Sequence, residues 1–133
     1  MQEKEITINP ALMNIVNRIA SGSKSVGAIE FDGGLLLQGE QHGKLTVKNG
    51  PLVVFDGAHV TGEIIVDGDI YVFGKVGDEG AVASLTQMTS TKTLNMASKS
   101  VAYGKLRFAS LALYQGAKIH GSMDTIDANK AEY

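Results

Sequence analysis

The chain has 133 residues, with 12 Lys and Arg against 14 Asp and Glu, and it has no cysteine. This length suits one domain with its own core, the nearly balanced charge gives no electrostatic footprint for nucleic acid, and the lack of cysteine excludes disulfides and thiolate chemistry. Sixteen glycines, four Tyr, four Phe and no Trp favour many short strands and tight turns over helices.

The first predicted element is a short amphipathic helix inside an N-terminal tail, residues 1–25. Asn9 suits the N-cap of this helix, Pro10 its first position and Gly22 its end. The apolar face of the helix would carry Leu12, Ile15, Val16 and Ile19. Two roles stay open for this face: it packs on the following domain as a cap, or it docks onto a partner protein or a membrane surface.

After this tail the chain repeats itself with a period of about eighteen residues. A glycine followed by any residue and then an apolar one recurs at Gly43, Gly62, Gly80, Gly104 and Gly121, in steps of 19, 18, 24 and 17 residues. A second column of paired apolar residues has steps of 17, 18, 24 and 17, at Leu35 and Leu37, Leu52 and Val54, Ile70 and Val72, Leu94 and Met96, and Leu111 and Leu113. The two columns predict five similar units, with an insertion of about six residues in the third.

Within each unit, apolar residues lie two positions apart, as Leu45 and Val47 do, and this is the periodicity of a strand. Asp-Gly and Asn-Gly pairs separate these short runs and suit tight corners. Three short strands per unit describe one triangular coil. Five stacked coils predict an all-β parallel β-solenoid over residues 26–127, followed by a C-terminal tail, residues 128–133. A meander of β-hairpins is the alternative, but it does not require a constant spacing of like residues.

The repeat also explains a phrase that the chain spells twice, GAHVTG at residues 57–62 and GAKIHG at residues 116–121. Both copies are predicted to form the same corner and strand in two different coils, with Val60 and Ile119 as stacked core residues. The insertion is assigned to the glycine-free stretch 84–93, as a loop or as a β-arm that extends one face.

The sequence suggests no reaction centre. His42, His59 and His120 are the only histidines, and a metal ion shared by them would need side chains from three separate coils to converge. No spacing suggests a Ser-His-Asp arrangement, and no phosphate-binding P-loop sequence is present. We therefore predict no catalytic, cofactor-binding or metal-binding residue, and no cofactor.

The order of these repeats resembles the bactofilin family. The resemblance rests on the glycine-corner repeat, on IEFDGGLLLQGEQHGKL at residues 29–45 and on IYVFGKVGD at residues 70–78, and it extends over about residues 26–126. It implies a right-handed parallel β-helix. It also implies a bacterial cytoskeletal protein, not an enzyme, that polymerises without nucleotide and serves as a scaffold for cell shape, polar structures and envelope enzymes.

The same resemblance implies where the protein lies and what it contacts. The expected location is the cytoplasm, peripheral at the inner face of the cytoplasmic membrane. The expected partners are other copies of the chain, the membrane surface, and envelope enzymes or other scaffold proteins. Nucleic acid is not an expected partner, in agreement with the charge.

The two ends of the predicted solenoid are the expected polymer interface. Each end leaves strand edges and apolar residues uncovered, and such edges are templates for another chain. The first coil offers Ile29, Phe31, Leu35 and Leu37, and the last offers Leu111, Leu113, Ile119 and Met123. Because contacts at both ends make an open chain, we expect end-to-end filaments.

Two other functions stay open. One is an acyltransferase of the hexapeptide-repeat class, a left-handed solenoid enzyme, because Val54, Val60, Val66 and Val72 lie six residues apart. The spacing fails outside this window, with seven residues from Val47 to Val54. The other is a solenoid that binds a ligand or a sugar, which a ladder of aromatic residues on one face would favour; the aromatic residues are scattered instead.

Overall fold

The computed structural model describes residues 8–9, 11–78 and 86–126, and these form a β-solenoid of about six turns. Its 14 strands lie in two sheets with parallel pairings throughout. The described residues contain no helix. The prediction of an all-β parallel solenoid is confirmed, with one more turn than the five that the repeat predicts, and its right-handedness stays a prediction.

Each turn has three faces. A short strand forms one face, and a longer strand that bends in the middle, or a pair of strands in its place, forms the other two. The short strands form one sheet: β1 (Ile15–Ile19), β4 (Gly34–Leu37), β6 (Leu52–Val54), β8 (Ile70–Val72), β11 (Thr93–Met96) and β13 (Ser110–Leu113). The second sheet contains β2 (Lys24–Val26), β3 (Ile29–Asp32), β5 (Glu40–Lys48), β7 (His59–Asp67), β9 (Lys75–Val76), β10 (Gln87–Ser90), β12 (Val101–Phe108) and β14 (Lys118–Thr125).

The predicted column of apolar residues is confirmed by the strand register. Leu35, Leu52, Ile70, Leu94 and Leu111 lie one above another on successive turns, and the first four are fully buried. Parallel in-register strands place equivalent residues at the same position of each turn, so an inward residue stacks on inward residues. Burial of each such Leu or Ile stabilises the fold by about 1.5–3 kcal/mol.

The repeated phrase occupies equivalent places in the third and the sixth turn, as predicted. Val60, Val76, Ala102 and Ile119 form one inward column. Val60 is fully buried, whereas Ile119 is partly buried and packs against the core. The difference arises because Ile119 belongs to the last turn and has no further turn above it among the described residues.

Glycines mark the bend in the long strands of the second sheet. Gly43 pairs with Gly62, and Gly104 pairs with Gly121. All four have positive φ angles, between 101° and 143°, a region that glycine adopts without the steric cost of a Cβ. The glycine column predicted from the sequence is confirmed at these four positions.

The stretch predicted to carry the insertion contains a regular strand of the solenoid. The assignment of residues 84–93 to a loop or an arm is wrong for Gln87–Ser90, which forms β10 and pairs with both β7 and β12, while residues 84 and 85 lie outside the described residues. The register places Thr86, not Gly80, at the corner of the fourth turn; Gly80 lies outside the described residues. The inward residues of this strand are Met88 and the polar Ser90, and only the first fits an apolar pattern. Ser90 is fully buried, and its hydroxyl donates a 2.6 Å hydrogen bond to the carbonyl oxygen of Gly68.

The helix predicted in the N-terminal tail is wrong, because Ile15–Ile19 forms strand β1, which pairs with β4. Asn9 caps a single turn instead: its Oδ1 accepts a 3.3 Å hydrogen bond from the amide of Leu12. The chain leaves this turn at Asn14, which has a φ of 57°. A helix of about ten residues is marginal alone, whereas β1 gains a backbone ladder with β4. The solenoid therefore begins inside the segment 1–25 that the sequence assigns to a tail.

Replacing the corner glycine Gly62 with Ala is expected to lower the free energy of unfolding by about 3–5 kcal/mol. The φ of Gly62 disfavours a Cβ, and the added methyl group would overlap the carbonyl oxygen of Gly43 on the adjacent turn. Gly57→Ala is the matched control, because Gly57 has a φ of 87° but open space around its missing Cβ. It should lose only about 1 kcal/mol. Urea unfolding followed by circular dichroism measures both losses, and equal losses would contradict a role for the contact between turns.

Candidate assembly surfaces

The last turn ends the core without a covering layer among the described residues. Leu113 stacks on Met96, and Met123 stacks on Leu106. Met96 and Leu106 are fully buried, whereas Leu113 is 54% exposed and Met123 is 49% exposed. Positions that are buried in the fifth turn are thus exposed and apolar in the sixth. Contiguous apolar surface of this kind marks an interaction site.

The other two predicted residues of this end lie beside them. Leu111 on β13 and Ile119 on β14 are partly buried and pack against the core. Among the described strands, β13 pairs only with β11, and β14 pairs only with β12. Each therefore presents one strand edge that can accept a further strand.

The first turn consists of β1, β2 and β3, and its composition differs from the predicted first coil. Ile29 and Phe31 lie on β3 and are partly buried against the core, as expected for an end. Leu35 and Leu37 lie on β4 in the second turn and are fully buried. Their assignment to the first coil is wrong because the sequence analysis took the covering strand β1 for a helix.

The inward side chains of the first turn are more polar than those of the last. The side-chain amide of Asn17 on β1 donates a 3.0 Å hydrogen bond to the carbonyl oxygen of Asp32. Ser25 and Gln41 are aligned on the first two turns, and the buried Gln41 donates a 3.0 Å hydrogen bond from its Nε2 to the carbonyl oxygen of Gly27. The inward side chains at the two ends therefore differ in chemistry: those of the first turn include Asn17 and Ser25, whereas the last turn has an apolar residue at both equivalent positions.

The four residues predicted to form a docking face do not share a face. Leu12 and Val16 are 84% and 68% exposed, whereas Ile19 is buried and Ile15 is half-buried. The reason is geometric: successive residues of a strand point to opposite sides, whereas a helix would bring the four together. Only Leu12 and Val16 remain as exposed apolar side chains of this set. Within the described part of the chain, no helix is long and apolar enough to cross a membrane.

The side wall of the solenoid carries a polar cluster that the sequence pattern did not predict. Glu40, His42 and His59 each place one possible ligand atom within 4.8 Å of the others. His42 Nε2 and Glu40 Oε1 form a hydrogen bond of 2.8 Å. This bond is the main reason why the pKa of Glu40 is below its ordinary value. The expectation that the histidines stay apart is wrong for His42 and His59, although His120 lies elsewhere, stacked on Tyr103 at 5.0 Å.

The missed signal was the strand register and not the spacing of histidines. Glu40 and His59 are direct partners on neighbouring strands, and His42 follows Glu40 by two residues and so points to the same side of β5. The spacing of the histidines alone does not indicate that the carboxylate of Glu40 belongs to the cluster.

The fold and its ends define a class of protein: a parallel β-solenoid with a stacked core whose last described turn ends in exposed apolar side chains, suited to linear assembly. A protein-family model described as "Bactofilin: Polymer-forming cytoskeletal" matches residues 17–124. Because this match spans most of the chain, the protein belongs to the bactofilin family of polymer-forming cytoskeletal proteins, a structural family and not an enzyme family. No curated protein and no solved structure matches the chain.

Proposed function

We propose that this protein is a scaffold that polymerises end to end through its terminal turns, without nucleotide. The observation that carries the proposal is that no described strand covers the last turn, where Leu113 is 54% exposed directly above the buried Met96. Membership of a polymer-forming family supports it. A solenoid with an adhesive surface at each end makes an open chain that does not close on itself.

A single end contact would be modest. Burying a few hundred Å² of apolar surface contributes several kcal/mol at about 25 cal/mol per Å², before the cost of association. The open edges of β13 and β14 would add backbone hydrogen bonds if strands of a second copy continue the sheets. Assembly should therefore depend steeply on protein concentration.

The finer parts of the proposal concern the cell. The lack of a P-loop sequence in the chain supports assembly without ATP or GTP. The role is structural and not catalytic: the filament lies in the cytoplasm, at the inner face of the membrane, where it positions envelope or polar machinery and affects cell shape. Family membership supports this role, and the exposed Leu12 and Val16 support contact with a membrane or a partner protein.

Negative-stain electron microscopy of the purified full chain, without nucleotide, tests the proposal. We expect unbranched filaments with an axial repeat of about 29 Å per copy, since about six turns stack at about 4.8 Å each. Filaments that form only with ATP or GTP would contradict the nucleotide-independent part. A monomer at high concentration would contradict polymerisation, and a closed trimer in light scattering would favour the acyltransferase-like alternative.

A further inference from the structure

The Glu40–His42–His59 cluster lies on the outer side of the second and third turns, on β5 and β7. The rings of His42 and His59 meet edge to face with their centroids 5.2 Å apart. The side chains of His42, Glu40 and His59 are 24%, 46% and 23% exposed, so the cluster is reachable from solvent and partly shielded. Two imidazoles and one carboxylate are donors that bind divalent transition metal ions well.

In each histidine, one ring nitrogen already has a hydrogen-bond partner outside the cluster, which leaves the other ring nitrogen to bind a metal. Nδ1 of His42 lies 2.7 Å from the hydroxyl oxygen of Thr61. Nε2 of His59 lies 2.9 Å from the carbonyl oxygen of Gly77 and 3.0 Å from Oδ1 of Asp78. The carbonyl oxygen of Gly77 and Oδ1 of Asp78 can only accept a hydrogen bond here. Nε2 of His59 therefore donates, and its Nδ1 carries no proton when the ring is neutral. Metal-binding histidines are commonly oriented by such outer partners.

We propose that this cluster binds one first-row divalent transition metal ion, such as Zn²⁺, through the Glu40 carboxylate, His42 Nε2 and His59 Nδ1. Water would complete the coordination. Bonds of about 2.0–2.1 Å in a tetrahedral site place neighbouring ligand atoms about 3.3 Å apart. His42 Nε2 and Glu40 Oε1 lie 2.8 Å apart, and one possible ligand atom of each residue lies within 4.8 Å of the others, so the first distance lies below this value and the second limit above it. The ion takes the place of the hydrogen between His42 Nε2 and Glu40 Oε1, and the neutral ring then carries its proton on Nδ1, which donates to the hydroxyl oxygen of Thr61.

The position of the site gives the ion a structural effect that is independent of polymerisation. Its ligands come from two consecutive turns, so a bound ion ties β5 to β7. The site lies on the side wall of the second and third turns, and none of its ligands belongs to the apolar residues proposed for either end surface. Failure of metal binding would therefore leave the proposed scaffold function untouched, and the reverse also holds.

Isothermal titration of the full chain, without a histidine tag, with ZnCl₂ tests the proposal. We expect one ion per chain, and a melting temperature that rises by roughly 5–10 °C at a hundredfold excess over the dissociation constant. His42→Ala and His59→Ala should each weaken binding at least about tenfold, and Thr61→Val should weaken it by about tenfold through loss of the orienting hydroxyl. His120→Ala is the matched control, since His120 is exposed and outside the cluster, and it should bind Zn²⁺ as the wild type does.

Circular dichroism of each variant shows whether the solenoid is intact. If both histidine variants misfold, Glu40→Gln decides, because it keeps the shape of a half-exposed side chain and removes only the anionic ligand. The absence of stoichiometric binding would overturn the proposal. Binding that survives Glu40→Gln or the two histidine variants, or that falls equally in His120→Ala, would do the same, because it would show adventitious binding to surface histidines.

Discussion

Leu113→Arg is expected to convert filaments into monomers or short oligomers while leaving the solenoid folded. Leu113 is 54% exposed, so the guanidinium can stay in water in the free chain. At a junction between two copies it would be desolvated without a partner, and a loss of about 3 kcal/mol there corresponds to a roughly hundredfold weaker association. Size-exclusion chromatography with light scattering measures the assembly, and circular dichroism measures the fold.

Two controls separate the interface from general effects of a new charge. Ser110→Arg places the same charge on the same strand at an exposed position next to the inward Leu111, and it should still form filaments. Leu94→Arg places the charge at a fully buried mid-solenoid position, and it should unfold the chain. Filaments of normal length in Leu113→Arg would show that the last turn is not the junction.

Ile64→Asp is expected to abolish soluble folding, whereas Ile65→Asp should cost only about 1 kcal/mol. The two residues are adjacent on β7 and receive the same substitution. Ile64 is fully buried between Leu45 and Met88, whereas Ile65 is only half-buried. An unpaired carboxylate in the core costs several kcal/mol, a large part of the stability of a domain of this size.

Soluble yield, circular dichroism and urea unfolding measure the effect of this pair of substitutions. The comparison tests the alternation of the strand directly, because helix propensity, charge and side-chain volume change identically at both positions. Similar losses at Ile64 and Ile65 would contradict the inward and outward assignment of the whole strand, and with it the register of neighbouring turns.

The amino-acid sequence by itself determined the repeating architecture. Its information lies in spacing: each turn needs a glycine at the same bend and apolar residues at the same inward positions, so two columns of residues reveal the period. Residues such as Gly62, Leu52 and Ile70 could be placed in this way because stacking like on like is the condition for burying a solenoid core. The apolar residues of the last turn, Leu113 among them, followed from the same columns.

Only the tertiary structure decided which segments fill the irregular turns. Ile15–Ile19 carries an apolar pattern that a helix also fits, and it becomes a strand because β4 offers it a ladder and a core to cover. Gln87–Ser90 has only one apolar inward residue, Met88, beside the polar Ser90, and its place follows from partners on two neighbouring turns. The Glu40–His42–His59 cluster depends on register across turns, a relation between residues that are distant in the chain. The local sequence pattern shows which residues need to be buried. Strand pairing between neighbouring turns decides which residues they contact.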